Sequence, residues 1–326
     1  MEKKRQPKRA GKEKSTCTPC SGFTLIELMI AMAIAGLVLT VVCAAFGSQL
    51  RTHVGQQVTV EIQQSIRAAF TLMQHDIRMA GYDASWRDEN NDGSHDFRDS
   101  DLIDNDCDGR ADAADPERDE AGDLARFTAA GAHYLQFRLD RARNSVFCDS
   151  EDRIGFGFST TRDRNRDGVA DAGTAPLGRS IGAGGLQPLA ENFQAVAFGY
   201  AFDDDHGAAL PDGKIDTNGQ NIIWAYDSNT DGLLDTLLDS NADGVVDSSD
   251  DLDGNGRIDD AALTPAVPIS RIRAVQIWLL ARTRSPLRDH LDTDTYVVGD
   301  KVFSFGDHYK RVLLTTVVNC RNLGLR

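Results

Sequence analysis

Gly22-Phe23-Thr24-Leu25-Ile26-Glu27-Leu28-Met29-Ile30-Ala31-Met32-Ala33-Ile34-Ala35-Gly36-Leu37-Val38-Leu39-Thr40-Val41-Val42-Cys43-Ala44-Ala45-Phe46 is the run that decides the fold. Residues 23–46 are apolar apart from Thr24, Glu27 and Thr40, and 24 such residues suffice to cross a bilayer as a helix. The head of the chain, 1–22, carries Lys3, Lys4, Arg5, Lys8, Arg9, Lys12 and Lys14 against Glu2 and Glu13, a net of +5. A basic flank stays cytoplasmic, which places the chain beyond the span outside. A plain anchor or signal peptide, cut at Val42-Cys43-Ala44, is the simplest reading. The length of the run and the position of Glu27 resist it. A carboxylate at membrane depth costs about 2.5–3.5 kcal/mol on insertion scales and is functional by default.

Downstream, Val54, Val58, Ile62, Ile66, Phe70, Met73 and Ile77 recur in steps of three and four, the signature of an amphipathic helix. Gly81 is a natural stop. One helix is therefore predicted, transmembrane over 23–50 and amphipathic over 51–80, about 87 Å long for 23–80 at 1.5 Å per residue. Short β-like runs follow at 133–139, 153–158, 194–202, 221–226, 272–281 and 311–319. Helix first and strands after predicts an α+β fold, with an antiparallel sheet over 81–326 packed on the amphipathic half-helix.

The composition is lopsided in one residue. Of 50 acidic side chains 41 are Asp and 9 are Glu, and the net charge is −15, or −20 beyond the basic head. Asp is the residue of turns, caps and hard-cation ligands rather than of helices. So acidic a surface excludes nucleic-acid binding, and a 41% hydrophobic content supports a real core. No H-E-x-x-H, G-x-S-x-G or phosphate-cradling glycine loop is present, so no enzymatic activity is expected. Cys17 and Cys20 have redox spacing but lie in the basic head. Cys107, Cys148 and Cys320 allow at most one internal disulfide, with three pairings open.

The segment from 1 to 46 resembles a type IV prepilin leader. The resemblance implies that prepilin peptidase cuts between Gly22 and Phe23 and that the new amine of Phe23 is methylated. Glu27 then stands fifth after the cut, where it pairs with the Phe23 amine of a neighbouring subunit and sets the filament register. Further phrases resemble PilW-type minor pilins and extend the expectation to a pilin-like head. They are Asp76-Ile77-Arg78-Met79-Ala80-Gly81-Tyr82, Ala190-Glu191-Asn192-Phe193, Ile272–Leu280, Arg311–Val317 and Arg321-Asn322. Residues 42–48 hold no Pro, so the kink of many major pilins is not expected.

The aspartates fall into one pattern, D-x-[DN]-x-[DN]-G-x-x-D. It reads Asp88, Asn90, Asp92, Asp96; then Asp104, Asp106, Asp108, Asp112; then Asp163, Asn165, Asp167, Asp171. A tandem set starts every 12 residues: Asp227, Asn229, Asp231, Asp235; Asp239, Asn241, Asp243, Asp247; Asp251, Asp253, Asn255, Asp259. Alternate oxygens at the first, third and fifth positions turn around one cation, Gly at the sixth makes the sharp turn, the seventh carbonyl ligates, and the ninth closes the shell. Oxygen-only ligation favours Ca2+. The twelfth position is Asp99, Asp115, Thr174, Leu238, Asp250 or Ala262, never Glu, and no amphipathic helix flanks a loop, so these are not EF-hands. They resemble thrombospondin type 3 or dockerin-like loops, and extracellular affinities of about 10⁻⁴–10⁻³ M follow by analogy. Solvated Asn/Asp/Gly turns are the bland alternative. A further stretch, Asp203–Asp205 with Asp212, Gly213 and Asp216, departs from the spacing. The Asp-rich inserts are thus 83–123, 163–171, 203–219 and 227–260.

The function expected is that of a minor pilin, held in the inner membrane with its head in the periplasm and then built into a type IV pilus at the cell surface, near the tip or in a priming complex. Its partners would be prepilin peptidase, other minor pilins, the major pilin, the inner-membrane assembly platform and a tip adhesin. The alternatives are a type II secretion minor pseudopilin and a membrane-anchored, calcium-dependent surface-binding protein.

Overall fold

The computed structural model describes residues 22, 24–82, 126–141, 150–204 and 212–323. The chain divides into two units, Met1–Val54 and Gly55–Arg326. Helix α1 covers Leu25–Arg78. Its start is a capping box: Thr24 Oγ1 accepts the Glu27 N–H at 3.3 Å, and Glu27 Oε2 accepts the Thr24 N–H at 2.9 Å and its hydroxyl at 2.8 Å. In the first unit Leu25–Gly47 has a mean hydropathy of 2.6, and its side chains are exposed throughout almost its whole length. By length and composition it is able to cross a membrane.

In the second unit the helix buries Ile62, Ile66, Ala69, Met73 and Ile77 in one core with the sheet. Ala69 takes the fully buried place that the sequence pattern assigns to Phe70, which is half-buried at the margin of the core. A small side chain there lets the helix approach its neighbours closely. Gly81, at φ +71°, ends the element, and its N–H donates to the Arg138 carbonyl at 2.8 Å. A Cβ at Gly81 would run into Leu323 and Arg126, so the glycine also permits close packing.

The strands in chain order are β1 Phe127–Ala130, β2 Tyr134–Arg138, β3 Arg153–Gly157, β4 Ala175–Ile181, β5 Gln187–Phe202, β6 Thr217–Asn218, β7 Asn221–Ile222, β8 Ala225–Tyr226, β9 Leu233–Leu237, β10 Ala261–Pro268, β11 Ile272–Arg282, β12 Thr295–Val298, β13 Lys301–Ser304 and β14 Arg311–Asn319. Ten of them form one antiparallel sheet. It runs β1-β2-β3-β4-β5 and continues through β8, β9 and β10, while β11 pairs with the other side of β5 and carries β14. The centre is the β5–β11–β14 triplet, where Ile277 faces Phe198 on one side and Thr316 on the other. Phe198, Ile277 and Leu279 are fully buried. The fold is therefore α+β, a long apolar helix followed by a large antiparallel sheet.

Three ion pairs, two of them sharing Arg311, lock elements together. Asp76, near the end of α1 and 5% exposed, receives Arg179 Nε of β4 at 2.8 Å. Arg311 at the start of β14 reaches Asp292 at 2.9 Å and Asp307 at 2.7 Å, with its guanidinium over the Phe305 ring. Cys320 is a fully buried free thiol, pushed up to about 12 by burial. Cys107 and Cys148 lie outside the described residues.

Candidate metal centres and processing site

Gly22 is described and exposed, and a side chain there would meet nothing within 4 Å. Residues 1–21 and Phe23 lie outside the described residues, so the processing site is seen only at its edge. Glu27 is placed at the first turn of α1, where the capping box occupies one of its two oxygens.

Of the six aspartate loops, those starting at Asp88 and Asp104 fall outside the described residues, including Asn90, Asp92, Asp96, Asp106, Asp108 and Asp112. The other four share one backbone conformation. Their fourth residues are Arg166, Thr230, Ala242 and Gly254, with φ of 58°, 64°, 59° and 71°. Their sixth, Gly168, Gly232, Gly244 and Gly256, have φ of 75°, 87°, 89° and 84°. Two left-handed residues, two positions apart, coil the chain around its own carboxylates.

The hydrogen bonds repeat in the same way. The first Asp accepts the N–H of the sixth residue in every loop: Asp163 at 2.9 Å, Asp227 at 3.0 Å, Asp239 at 2.6 Å and Asp251 at 2.8 Å. The fifth side chain accepts the seventh N–H: Asp167 at 3.0 Å, Asp231 at 2.9 Å, Asp243 at 2.9 Å and Asn255 at 2.8 Å. Third-position oxygens of Asn229, Asn241 and Asp253 accept the fifth N–H. The ninth carboxylates of Asp171, Asp235 and Asp259 return to the second N–H. Asn165 is placed in the first of these loops at the third position. The eighth residues Ala170, Leu234 and Ile258 are buried and pin their loops to the head.

One loop closes differently. In the loop starting at Asp239, the second and third N–H groups donate to Asp250, at 2.8 and 3.1 Å, while Asp247 caps the short 3-10 turn Ser248–Asp250. The closing carboxylate is thus the fully buried twelfth residue rather than the ninth. The stretch at 203–216, whose spacing departs from the pattern, makes the same kind of bonds. Gly213, at φ +83°, donates to Asp203 at 3.1 Å, Lys214 N–H to Asp212 at 2.8 Å, and Asp204 N–H to Asp216 at 3.2 Å. These are the sixth-to-first, seventh-to-fifth and second-to-ninth bonds of the other loops, with five extra residues between the first and the sixth position. The signal present in the sequence is Asp212-Gly213-Lys214-Ile215-Asp216, a D-G-x-x-D with an apolar eighth residue.

The electrostatics differ between loop positions: hydrogen bonds from Ser249 hold the Asp247 carboxyl below its ordinary value. Burial pushes the Asp163 and Asp239 carboxyls up from their ordinary value. Oδ1 of Asp239 is buried without a hydrogen-bond partner. Among the described residues no three His, Cys, Asp or Glu side chains converge as a metal cluster, since the carboxylates turn onto N–H groups of their own loops. A carboxylate has about four lone-pair sites. Asp163 accepts one N–H on each oxygen, which leaves acceptor capacity for a cation, whereas Asp227 Oδ1 already accepts two, from Asn229 and Thr230; the oxygen-only donor set suits Ca2+.

Comparison with known proteins gives two findings. Residues 17–42 match the family model described as the prokaryotic N-terminal methylation motif. That match takes in Gly22, Phe23, Glu27 and most of the apolar run, and it fits membrane anchoring of the chain by this helix. A type IV-like pilin from Thermus thermophilus is similar in structure over 80% of this chain and 97% of its own, at 12% identity and a TM-score of 0.33. No curated protein matches the sequence.

Proposed function

We propose that this chain is a minor subunit of a type IV pilus. Prepilin peptidase cuts it after Gly22, and the amine of Phe23 is methylated. Residues 23–50 hold it in the inner membrane with the head in the periplasm, until it joins other minor pilins and the major pilin on the assembly platform. The observation that carries this reading is Glu27, fifth after the cut, inside a matched methylation motif at the capped start of an apolar helix. One oxygen of Glu27 remains open, which suits a positive amine from a neighbouring subunit. Its role is structural rather than enzymatic. The Asp76–Tyr82 phrase supports the PilW-type assignment, and its Asp76 has a structural task in the ion pair to Arg179. Placement in a tip or priming complex, beside an adhesin, suits a large head with inserts.

The four described loops support Ca2+ binding through their common coil and oxygen donors, and the matching bonds at Asp203, Asp212 and Asp216 add to them. Bound cations would neutralise the carboxylates and cross-link loop positions one, three, five, seven and nine. Mass spectrometry of the mature protein tests the first part. Methyl-Phe at residue 23 supports a pilin or a pseudopilin, whereas an intact leader or a cut at residue 44 leaves only a membrane-anchored surface protein. Deletion scored for twitching against protein secretion separates the pilus from a type II secretion minor pseudopilin. Calorimetric titration of the full chain in detergent with Ca2+ tests the loops, and absence of heat refutes them.

A further inference from the structure

A cavity of ≈ 670 Å3 opens in the head, within the range of roughly 300–1,000 Å3 typical of small-ligand sites. Tyr134, Phe158 and Tyr226 supply aromatic surface on its walls. Phe158 and Tyr226 are buried, and the Tyr226 hydroxyl donates to Asp260 at 3.4 Å. Arg257 and Lys301 line the cavity together and stand opposite each other across an antiparallel β-bridge. Two backbone bonds fasten their segments to each other, Val302 N–H to the Gly256 carbonyl and Ile258 N–H to the Asp300 carbonyl, both at 2.9 Å. The two cations are thus set side by side on a paired backbone.

Donors and acceptors in this lining are unevenly engaged. The buried carboxylates are taken. Asp163 accepts the N–H groups of Asp167 and Gly168, Asp227 those of Asn229, Thr230 and Gly232, and Asp300 is bonded to His133 Nε2 at 2.7 Å. The cations stand further off. Lys301 Nζ is 3.6 Å from Asp300, Arg257 Nε 3.7 Å from Asp300, and Arg257 Nη2 3.6 Å from Asp260, which is ion-pair range but too long for a hydrogen bond. Arg257 gives one hydrogen bond to the Tyr226 side chain. With five N–H donors on Arg and three on Lys, donor capacity remains for a ligand rich in oxygen acceptors. Charge narrows the choice. Five carboxylates stand against Arg166, Arg257 and Lys301, a balance of −2 with His133 neutral. That balance repels an anion, and a cation meets buried carboxylates already in use.

We infer that this cavity binds a neutral saccharide, with its C–H faces on the aromatic walls and its oxygens on Arg257 and Lys301. A sugar is uncharged and offers apolar faces and a ring of oxygens in one small body, which is what the walls require. Its hydroxyls also donate. The Ser228 and Thr236 hydroxyls in the lining both give their own protons to Asp235, at 3.0 and 2.8 Å, so their lone pairs are acceptors for them. None of these contacts needs a cation in the aspartate loops.

The test is calorimetric titration of the full chain with maltose, cellobiose and lactose, in excess chelator and in zwitterionic micelles that carry no sugar headgroup. At least one of the three should bind. The Lys301→Gln variant should bind that sugar at least about tenfold more weakly, the loss of one charge-assisted contact. A glucuronyl-glucose disaccharide should bind the unaltered chain more weakly than the neutral sugar does. Arg257→Gln is the second variant. The Arg257 side chain is 53% exposed, so this change reads the site even where Lys301→Gln fails to fold, and the melting temperature reports folding of both. Absence of binding by all three sugars overturns the inference. So does a uronate bound as tightly as the neutral sugar, or binding that the folded variants leave unchanged. Binding of butylamine where the sugars do not bind would make the cavity a cation site and overturns it as well. Each of these failures leaves the pilin and calcium readings standing, since neither the cut at Gly22 nor the Ca2+ titration involves the sugar.

Discussion

Gly232 sits at φ +87° with nothing within 4 Å of where a Cβ would stand. Gly232→Ala therefore isolates the backbone cost of a left-handed non-glycine residue, about 1 kcal/mol. At Gly168, φ +75°, the same change also drives a methyl into the His133 ring and the Val196 carbonyl. Thermal denaturation should show a fall of roughly 2–4 °C for Gly232→Ala and a larger one for Gly168→Ala; equal shifts would mean that the conformation, not the packing, dominates at both. A second residue prediction concerns acid. Arg311 beside Asp307 holds that carboxyl down at about 2, below its unfolded value of about 3.9. The folded pKa is depressed, so the stabilisation is present above about pH 4 and disappears as pH falls toward 2. Asp307→Asn should flatten the melting temperature across that window, and an unchanged acid limb would contradict it. At this scale the sequence was legible where spacing repeats. The stretch from Asp203 to Asp216 could be read only as an off-spacing candidate, and the closing role of Asp250 not at all, because hydrogen bonds count neighbours in space while an insertion or a buried twelfth residue changes the count along the chain.

Among elements, the apolar span, the amphipathic stripe and the stop at Gly81 could be read directly, because each needs only local chemistry: hydropathy, period and a positive φ. Strands β11 and β14 were legible for the same reason, as long β-branched runs. Strands β9 and β10 were not. Leu233–Leu237 is a short run among aspartates, and Ala261–Pro268 contains two prolines, so each is a strand because its partner is there. Two substitutions probe how α1 is held. Met73→Ala removes a fully buried side chain and should cost about 3 kcal/mol by chemical denaturation. Arg179→Met leaves Asp76 buried without its cation, and loss of one partner of a buried pair also costs about 3 kcal/mol. Adding Asp76→Asn to Arg179→Met should recover part of that loss, because the stranded charge is gone; no recovery would show that Asp76 is not the reason for the cost.

Across the whole molecule the net charge of −15 is concentrated rather than spread. Segment 227–260 alone carries 11 Asp and one Arg. Its carboxylates are held close by the common coil, so folding without cations works against their mutual repulsion. Repulsion between exposed charges is screened over about 10 Å at 0.1 M salt and about 3 Å at 1 M. The calcium reading therefore predicts an interaction between two variables. In chelator, raising NaCl from 0.05 to 0.5 M should raise the melting temperature, because screening replaces part of what cations would do. In millimolar Ca2+ the melting temperature should be higher at the outset and nearly insensitive to the same change, since the neutralised loops have little repulsion left to screen. Salt curves that run parallel with and without Ca2+ would mean that the loops hold no cation and that their aspartates serve only the hydrogen bonds of the turn.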